Sequence, residues 1–329
     1  MKHVTVIVSQ WQTNLSAIVG IHEVFSKANH HWKSKGKREP LKVEFARVGS
    51  AKQVSFSDGL FMVKPERHIS AIMKTDLIII PSISPRFKTN DKDNKFLLQW
   101  INDQFENGAE VASICSGAFL LASTGLLDGK RCSTHWGLAD EFKARFPKVN
   151  LERDRLITDE SGIYTNGGAY SFLNLLIYLV EKFYDRATAI HCAKVLQVEI
   201  ERMSQSPFSI FNGQKSHGDD VVEKAQNYIE SKITEKISTA DLATKFSLGR
   251  RNFDRRFIRA TGNTPLAYTQ RVKIEAAKRL FENSRKNINE VMYSVGYSDT
   301  KAFREVFRKI TGMSPIDYRS KYNKAIASI

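Results

Sequence analysis

A chain of 329 residues, 42% of them hydrophobic, has material for two cored domains, and a net charge of +15 points to a polyanionic partner. Three cysteines, Cys115, Cys132 and Cys192, with no Cys-x-x-Cys spacing exclude a disulfide framework and a structural zinc site, so no metal is expected. The apolar stretch 172–180, broken by Asn174, is too short to cross a bilayer, and Met1-Lys2-His3 runs straight into a strand-like run, so no membrane partner, no signal peptide and a cytoplasmic location are expected.

Residues 4–8, 43–48, 77–80 and 111–114 are short β-rich runs, and 17–28, 94–106 and 117–123 carry helical spacing. Further helices are expected over 136–145, 168–184 and 187–200, with a hairpin over 156–165. Continuous apolar strands alternating with helices predict a mostly parallel sheet covered on both faces. His30-His31 falls in the polar run 29–39, which reads as a solvated loop and not a metal site. From 201 to 219 the texture turns to Ser, Gln, Pro, Gly and Asn, the composition of a linker.

In the run Val-Ala-Ser-Ile-Cys-Ser-Gly-Ala-Phe, a strand ends at Cys115 and a helix opens at once on small residues. A thiol on such an elbow stands at a helix N-terminus, which favours its thiolate. His135 follows twenty residues later, and Glu23 is expected near the C-terminal edge of the sheet, where α/β folds bind ligands. Cys115, His135 and Glu23 are therefore the candidate ligand-binding set. Cys115 as a packed small residue, a ligand contact or a nucleophile, and His135 as a hydrogen-bonded structural histidine, remain open at this level.

Residues 253–271 align with 303–321 at an offset of fifty, with six identities where roughly one is expected by chance. Phe253, Phe257, Thr261, Gly262, Pro265 and Tyr268 meet Phe303, Phe307, Thr311, Gly312, Pro315 and Tyr318. Each copy reads as helix, turn, second helix, stop: the Phe pair on one helix face, Gly at the C-terminus, then a hydroxyl N-cap and Pro. Ser238 with Asp241, and Asn287 with Glu290, have capping-box spacing upstream. At about 100° per residue, a buried Phe pair turns Arg251, Asn252, Arg255 and Arg259 outward in the first copy. Lys301, Arg304 and Arg308 are turned outward in the second, beside Glu305. Arg and Asn suit bidentate contacts with base edges in the major groove, so double-stranded DNA is the expected partner. A helix over 265–283, about 27 Å long, separates the copies by roughly one DNA turn. From residue 219 onward 22 Lys/Arg stand against 13 Asp/Glu, about three times the charge density of the first 218 residues.

Residues 220–321 resemble the AraC-type DNA-binding domain, in the Gly-x-x-Pro-x-x-Tyr endings and in Val295-Gly296-Tyr297-Ser298. The resemblance implies helix-turn-helix motifs near 238–261 and 288–311, a tail over 322–329, and base readers at 251, 254, 255, 301, 304 and 305. Residues 1–200 resemble the PfpI-like, class-I glutamine-amidotransferase-like fold, in Cys115-Ser116-Gly117-Ala118, the 125–130 turn and Thr134-His135-Trp136. That resemblance implies a flavodoxin-like α/β domain which, fused to an AraC-type domain, senses a small-molecule effector and forms a homodimer. RNA polymerase is a further partner, and no cofactor is expected. Asn174 and Asn166-Gly167-Gly168 depart from the pattern of the enzymes, which argues against catalysis. The competing readings are a cysteine-dependent hydrolase or amidotransferase localised on DNA, and a ligand-free nucleoid protein.

Overall fold

The computed structural model describes residues 2–38, 41–87, 91–200, 202–215 and 217–323. The chain divides into two compact units, Met1–Gln205 and Ser206–Ile329.

The first unit begins with β1 (Lys2–Val8), α1 (Leu15–Ser34), β2 (Leu41–Arg47), β3 (Val54–Phe56), β4 (Phe61–Val63) and β5 (Arg67–His68). It continues through β6 (Leu77–Ile80), α2 (Lys92–Glu106), β7 (Glu110–Ile114), α3 (Gly117–Ser123), β8 (Arg131–Cys132) and α4 (Ala139–Arg145). Then come β9 (Asn150–Leu151), β10 (Ile157–Glu160), β11 (Ile163–Asn166), α5 (Phe172–Phe183) and α6 (Arg186–Leu196). Seven strands form one sheet in the order β10-β11-β7-β6-β1-β2-β5. Only β10 runs antiparallel, in the expected hairpin with β11. Val4, Val6 and Val8 face α1, α5 and α6, packing with Val24, Phe25, Leu175, Leu179 and Cys192. Ile7, Ile78, Ile80 and Val111 face the other way, onto Leu97, Ile101, Phe119 and Phe142. Burial on both faces is why these strands read as unbroken apolar runs. Because β2 and β6 lie on opposite sides of β1, the chain reverses direction there, and the C-terminal strand ends beside that point form the crevice of an open α/β sheet.

Several details of the first unit differ from the sequence reading, among them the end of α6 at Leu196 and not at 200, where Gln197 stands at φ +53°. Helix α1 continues to Ser34, so His30 and His31 lie in a helix and not in a loop. The extra turns are held by tertiary contacts: Asn29 donates to the Leu41 carbonyl, Trp32 packs edge-on against Tyr184, and His31 stacks on His191 at 3.8 Å. The helix expected from 168 begins at Phe172, because Gly168 sits at φ +92° in the turn before it.

The second unit is helical: α7 (Asp220–Ser231), α8 (Thr239–Lys245), α9 (Arg250–Thr261), α10 (Pro265–Asn283), α11 (Ile288–Ser294), α12 (Thr300–Thr311) and α13 (Pro315–Tyr322). Both capping boxes form, at Ser238 with Asp241 and at Asn287 with Glu290. Gly262 and Gly312 end their helices at φ +68° and +72°, where a side chain would be strained. Thr264 and Ser314 cap α10 and α13, each followed by Pro in the first turn. The duplication extends to atomic contacts. Phe257 meets Tyr268 edge-on at 5.4 Å and 80°, and Phe307 meets Tyr318 at 5.5 Å and 80°. Tyr268 Oη donates to Glu230 and Tyr318 Oη to Glu282. Each copy has its own core, the first from α7, α8, α9 and Tyr268, the second from α10, α11, α12 and Tyr318.

Within 202–215, part of the segment expected as a linker, some residues are anchored. Gln205 is 1% exposed in the first unit, and Phe211 stacks edge-on against Tyr268 in the second. Their polar composition hid this, because most of the anchoring is made by backbone groups and amide side chains.

Candidate DNA-binding face and elbow site

Helices α9 and α12 present the same anatomy. Phe253 and Phe257, like Phe303 and Phe307, are wholly buried, which fixes the rotation of each helix about its axis. Arg251, Asn252, Arg255 and Arg259 are then exposed on α9, and Lys301, Arg304 and Arg308 on α12. Arg255 bonds the Asn252 side chain at 3.3 Å, which sets the two side by side. Arg256 is committed elsewhere: its Nε meets Asp219 at 2.6 Å, an ion pair that raises the guanidinium and lowers the carboxyl from their ordinary values. Asp254 is half-buried, with Oδ1 enclosed and without a hydrogen-bond partner among the described residues. It does not share the open face with Arg251 and Arg255, whereas Glu305 is exposed.

Lys273 of α10 joins the two copies. Its Nζ donates to the Glu235 carbonyl before α8 at 3.0 Å and to the Gly296 carbonyl in the α11–α12 turn at 3.2 Å. Burial lowers its pKa. A Cβ on Gly296 would stand 2.5 Å from the Thr234 carbonyl oxygen, so the close approach of the copies requires glycine there. No periodicity marks Lys273, because a lysine in a helix is ordinarily solvated and its carbonyl partners lie far off in sequence.

In the first unit the elbow forms as expected. Cys115 follows β7 at φ +55°, its N–H donating to the Asn166 carbonyl at 2.9 Å and its carbonyl accepting from Thr134 Oγ1 at 2.9 Å. Gly117 is dictated by packing, because a Cβ would stand 2.6 Å from the Ile80 carbonyl oxygen. Cys115 as a whole is 9% exposed. Burial pushes its pKa up, against hydrogen bonds from Ser82 and Ser116 that pull it down. Burial thus works against the thiolate that a helix N-terminus favours, and α3 behind it is a short helix of 7 residues.

The elbow's expected companions, His135 and Glu23, make their own local contacts. His135 Nδ1 accepts the Gly137 N–H at 3.0 Å, capping a short turn, and its ring lies tilted on Trp136. Burial lowers the His135 pKa, which favours the neutral ring at pH 7. Glu23 is exposed on α1 and pairs with Lys27 at 3.7 Å. Among the described residues no hydrogen bond joins Cys115 to either of them. The residues that do build the elbow are Ser82, Thr134 and Asn166. Asn166 was visible in the sequence only as a departure from an enzyme pattern.

Two tandem helix-turn-helix motifs with exposed cationic faces, preceded by a flavodoxin-like domain with a cysteine elbow, define a DNA-binding regulator with an α/β domain. Comparisons with known proteins agree. Residues 19–182 match the DJ-1/PfpI family and residues 242–321 the Helix-turn-helix domain family, which together take in most of the chain. The HTH-type transcriptional regulator GbdR of Pseudomonas aeruginosa is 23% identical over 269 residues, covering 82% of this chain and 72% of that protein. The HTH-type transcriptional regulator GlxA of Rhizobium meliloti is 28% identical over 221 residues, covering 65% of this chain and 66% of that protein. In fold, a THiJ/PfpI family protein from Pseudomonas syringae superposes with a TM-score of 0.50 at 17% identity, over 77% of this chain and 89% of that one. The chain therefore carries a DJ-1/PfpI domain followed by an AraC-type helix-turn-helix domain, and it is a DNA-binding transcription regulator.

Proposed function

We propose that Arg251, Asn252, Arg255 and Arg259 read one major groove and Lys301, Arg304 and Arg308 the next, in a cytoplasmic regulator whose affinity for DNA is set by a small polar metabolite at the Cys115 elbow. The observation that carries the reading is the repetition: two cationic helix faces exposed over equivalent buried Phe pairs, on a single connecting helix. Changing Arg251 or Arg255 to Ala costs about 1–3 kcal/mol on the selected target and less on random DNA. Equal losses on both DNAs reduce these residues to phosphate contacts.

At the elbow, burial and the hydroxyls of Ser82 and Ser116 surround a thiol whose pKa is raised, and His135 is spent on a turn. That arrangement supports sensing over catalysis, because a nucleophile needs a base within hydrogen-bond reach. An amino-acid derivative or an amine fits such a polar, uncharged lining. Cys115→Ser retains DNA binding and weakens the response to the metabolite; a covalent adduct on Cys115 with turnover would establish the hydrolase reading instead. Self-association through the α/β domain places two such readers on paired half-sites, where contact with RNA polymerase gives the output. Sedimentation of the full chain as a monomer at tens of micromolar, a rough threshold, argues against the dimer.

A further inference from the structure

We propose that Gln205 is the coupling residue of this regulator, holding the elbow of the α/β unit at one end of a strap, 206–213, that fixes the two helix-turn-helix copies relative to each other.

Gln205 is the last residue of the first unit, and its amide is saturated there. Nε2 donates to the carbonyls of Thr134 at 2.8 Å and Arg153 at 2.7 Å, and Oε1 accepts the Trp136 N–H at 3.0 Å. A Cβ on Gly167 would stand 2.3 Å from Nε2, so glycine is required to admit the amide. Both neighbours belong to the elbow's supports. Thr134 Oγ1 holds the Cys115 carbonyl, and Gly167 follows Asn166, whose carbonyl holds the Cys115 N–H. A shift of the backbone at Cys115 therefore reaches Gln205 through two short routes.

The next residue in the chain belongs to the second unit, where the strap crosses from the second copy to the first. Ser206 and Pro207 lie 3.8 and 3.9 Å from where a Cβ on Gly312 would stand, and Tyr322 Oη donates to the Pro207 carbonyl at 3.2 Å. Over α10, the buried Lys278 Nζ donates to the Ser209 carbonyl at 2.6 Å, and its ion-pair partner Glu275 accepts the Phe211 N–H at 3.2 Å. Phe211 then stacks edge-on against Tyr268 at 5.2 Å, and Gly213 stands so close that a Cβ would fall 2.6 Å from Tyr268 Oη. The strap thus touches the closing tyrosine of the first copy and the helix stop of the second, and any pull on its first residue loads both.

The proposal rests on the elbow being the sensing site, but its test needs no effector. In the full chain, Gln205→Ala and the near-isosteric Gln205→Glu, which lacks the amide donors, are compared with Gln99→Ala on the exposed face of α2. Hydrogen exchange in the peptide 206–213 is expected to rise about tenfold or more in both Gln205 variants and to stay unchanged in Gln99→Ala. Thr134→Val, which cuts the bond to the Cys115 carbonyl, is then combined with each Gln205 variant, and binding is measured to a duplex selected from a random pool by the wild-type chain. Its effect on affinity is expected to shrink by about fivefold or more when Gln205 is replaced, the lower range of allosteric couplings. An equal effect in both backgrounds, no effect of Thr134→Val on DNA, or unchanged exchange in the strap overturns the proposal. A wrong effector assignment leaves all three readouts as expected, so the two failures are distinguishable.

Discussion

Phe257→Ala tests whether the two copies are separate cooperative units. Phe257 is fully buried, meets Phe253 at 5.7 Å and Tyr268 at 5.4 Å, and sits in a core of only a few side chains from α7, α8, α9 and α10. Truncating such a ring costs about 3–5 kcal/mol, a large share of the roughly 5–15 kcal/mol that holds an ordinary domain together. None of the second copy's buried core residues belongs to that cluster. The expected outcome is a selective one: amides of α8 and α9 lose protection in hydrogen exchange while those of α11 and α12 keep theirs. On a selected duplex, hydroxyl-radical footprinting then shows one of two protected grooves. Phe307→Ala gives the mirror image, with the other groove lost. Simultaneous loss of protection in both copies, or a cost below about 1.5 kcal/mol, refutes the reasoning, since either would mean that the packing around Phe257 is shared or loose.

Gly296→Ala combines a left-handed φ of +73° with a Cβ 2.5 Å from a backbone oxygen, so a loss of about 2 kcal/mol or more is expected in thermal melts, with weaker binding to a two-groove site than to either half. Thr311→Val removes the hydroxyl that donates to the Phe307 carbonyl and accepts the Met313 N–H, and about 1–3 kcal/mol of stability should go with it, read by urea denaturation. Burial disfavours the Glu44 carboxylate, but His3, Arg67 and Lys42 outweigh it and hold its pKa below the usual value. Its stabilisation is therefore present above the ordinary glutamate pKa of 4.5 and lost as pH falls through the folded value; Glu44→Gln should be destabilising at pH 7 and close to wild type in acid. Burial also pushes Cys132 to about 12 and Cys192 to about 11, and raises Cys115, so alkylation of all three should be slow at pH 7 and accelerate in alkali. Rapid labelling of Cys115 at neutral pH would contradict its burial.

What could be read from the sequence was what local rules control. Helix α10 begins and ends where Pro265 and Asn283 suggested, because an N-cap, a Pro and an apolar stripe are all written within a few residues of the boundary. The same holds for both capping boxes and for the strand-to-helix step at Cys115. Contacts between distant segments were not legible. Gln205 sits in a Ser-Gln-Ser-Pro run with the composition of solvated chain, and only the carbonyls of Thr134 and Arg153, far away in sequence, make it a buried anchor. Glu23 was placed by its helix alone, and a helix of 20 residues leaves the choice of face and turn to packing. His31 read as loop because polar residues surround it, while its partner His191 belongs to another helix. The burial of the Cys115 thiol was hidden for a related reason, since the helix behind it is local and the packing around it is not.

One difference between the two copies lies at the mouths of α9 and α12. The turn between Ser294 and Thr300 is one residue longer than the turn between Lys245 and Arg250, and the caps that follow are chemically unlike. Asp299 spends its carboxylate on the N–H groups of Lys301 and Ala302, placing a negative charge at the mouth of α12, whereas Gly249 makes no side-chain bond at the mouth of α9. Toward a phosphate, one entrance is screened by an anion and the other is bare. A duplex approached in the reverse direction would present each strand to the wrong entrance. On the proposed two-groove reading this difference makes the reader directional, so that turning its target end for end makes a different site.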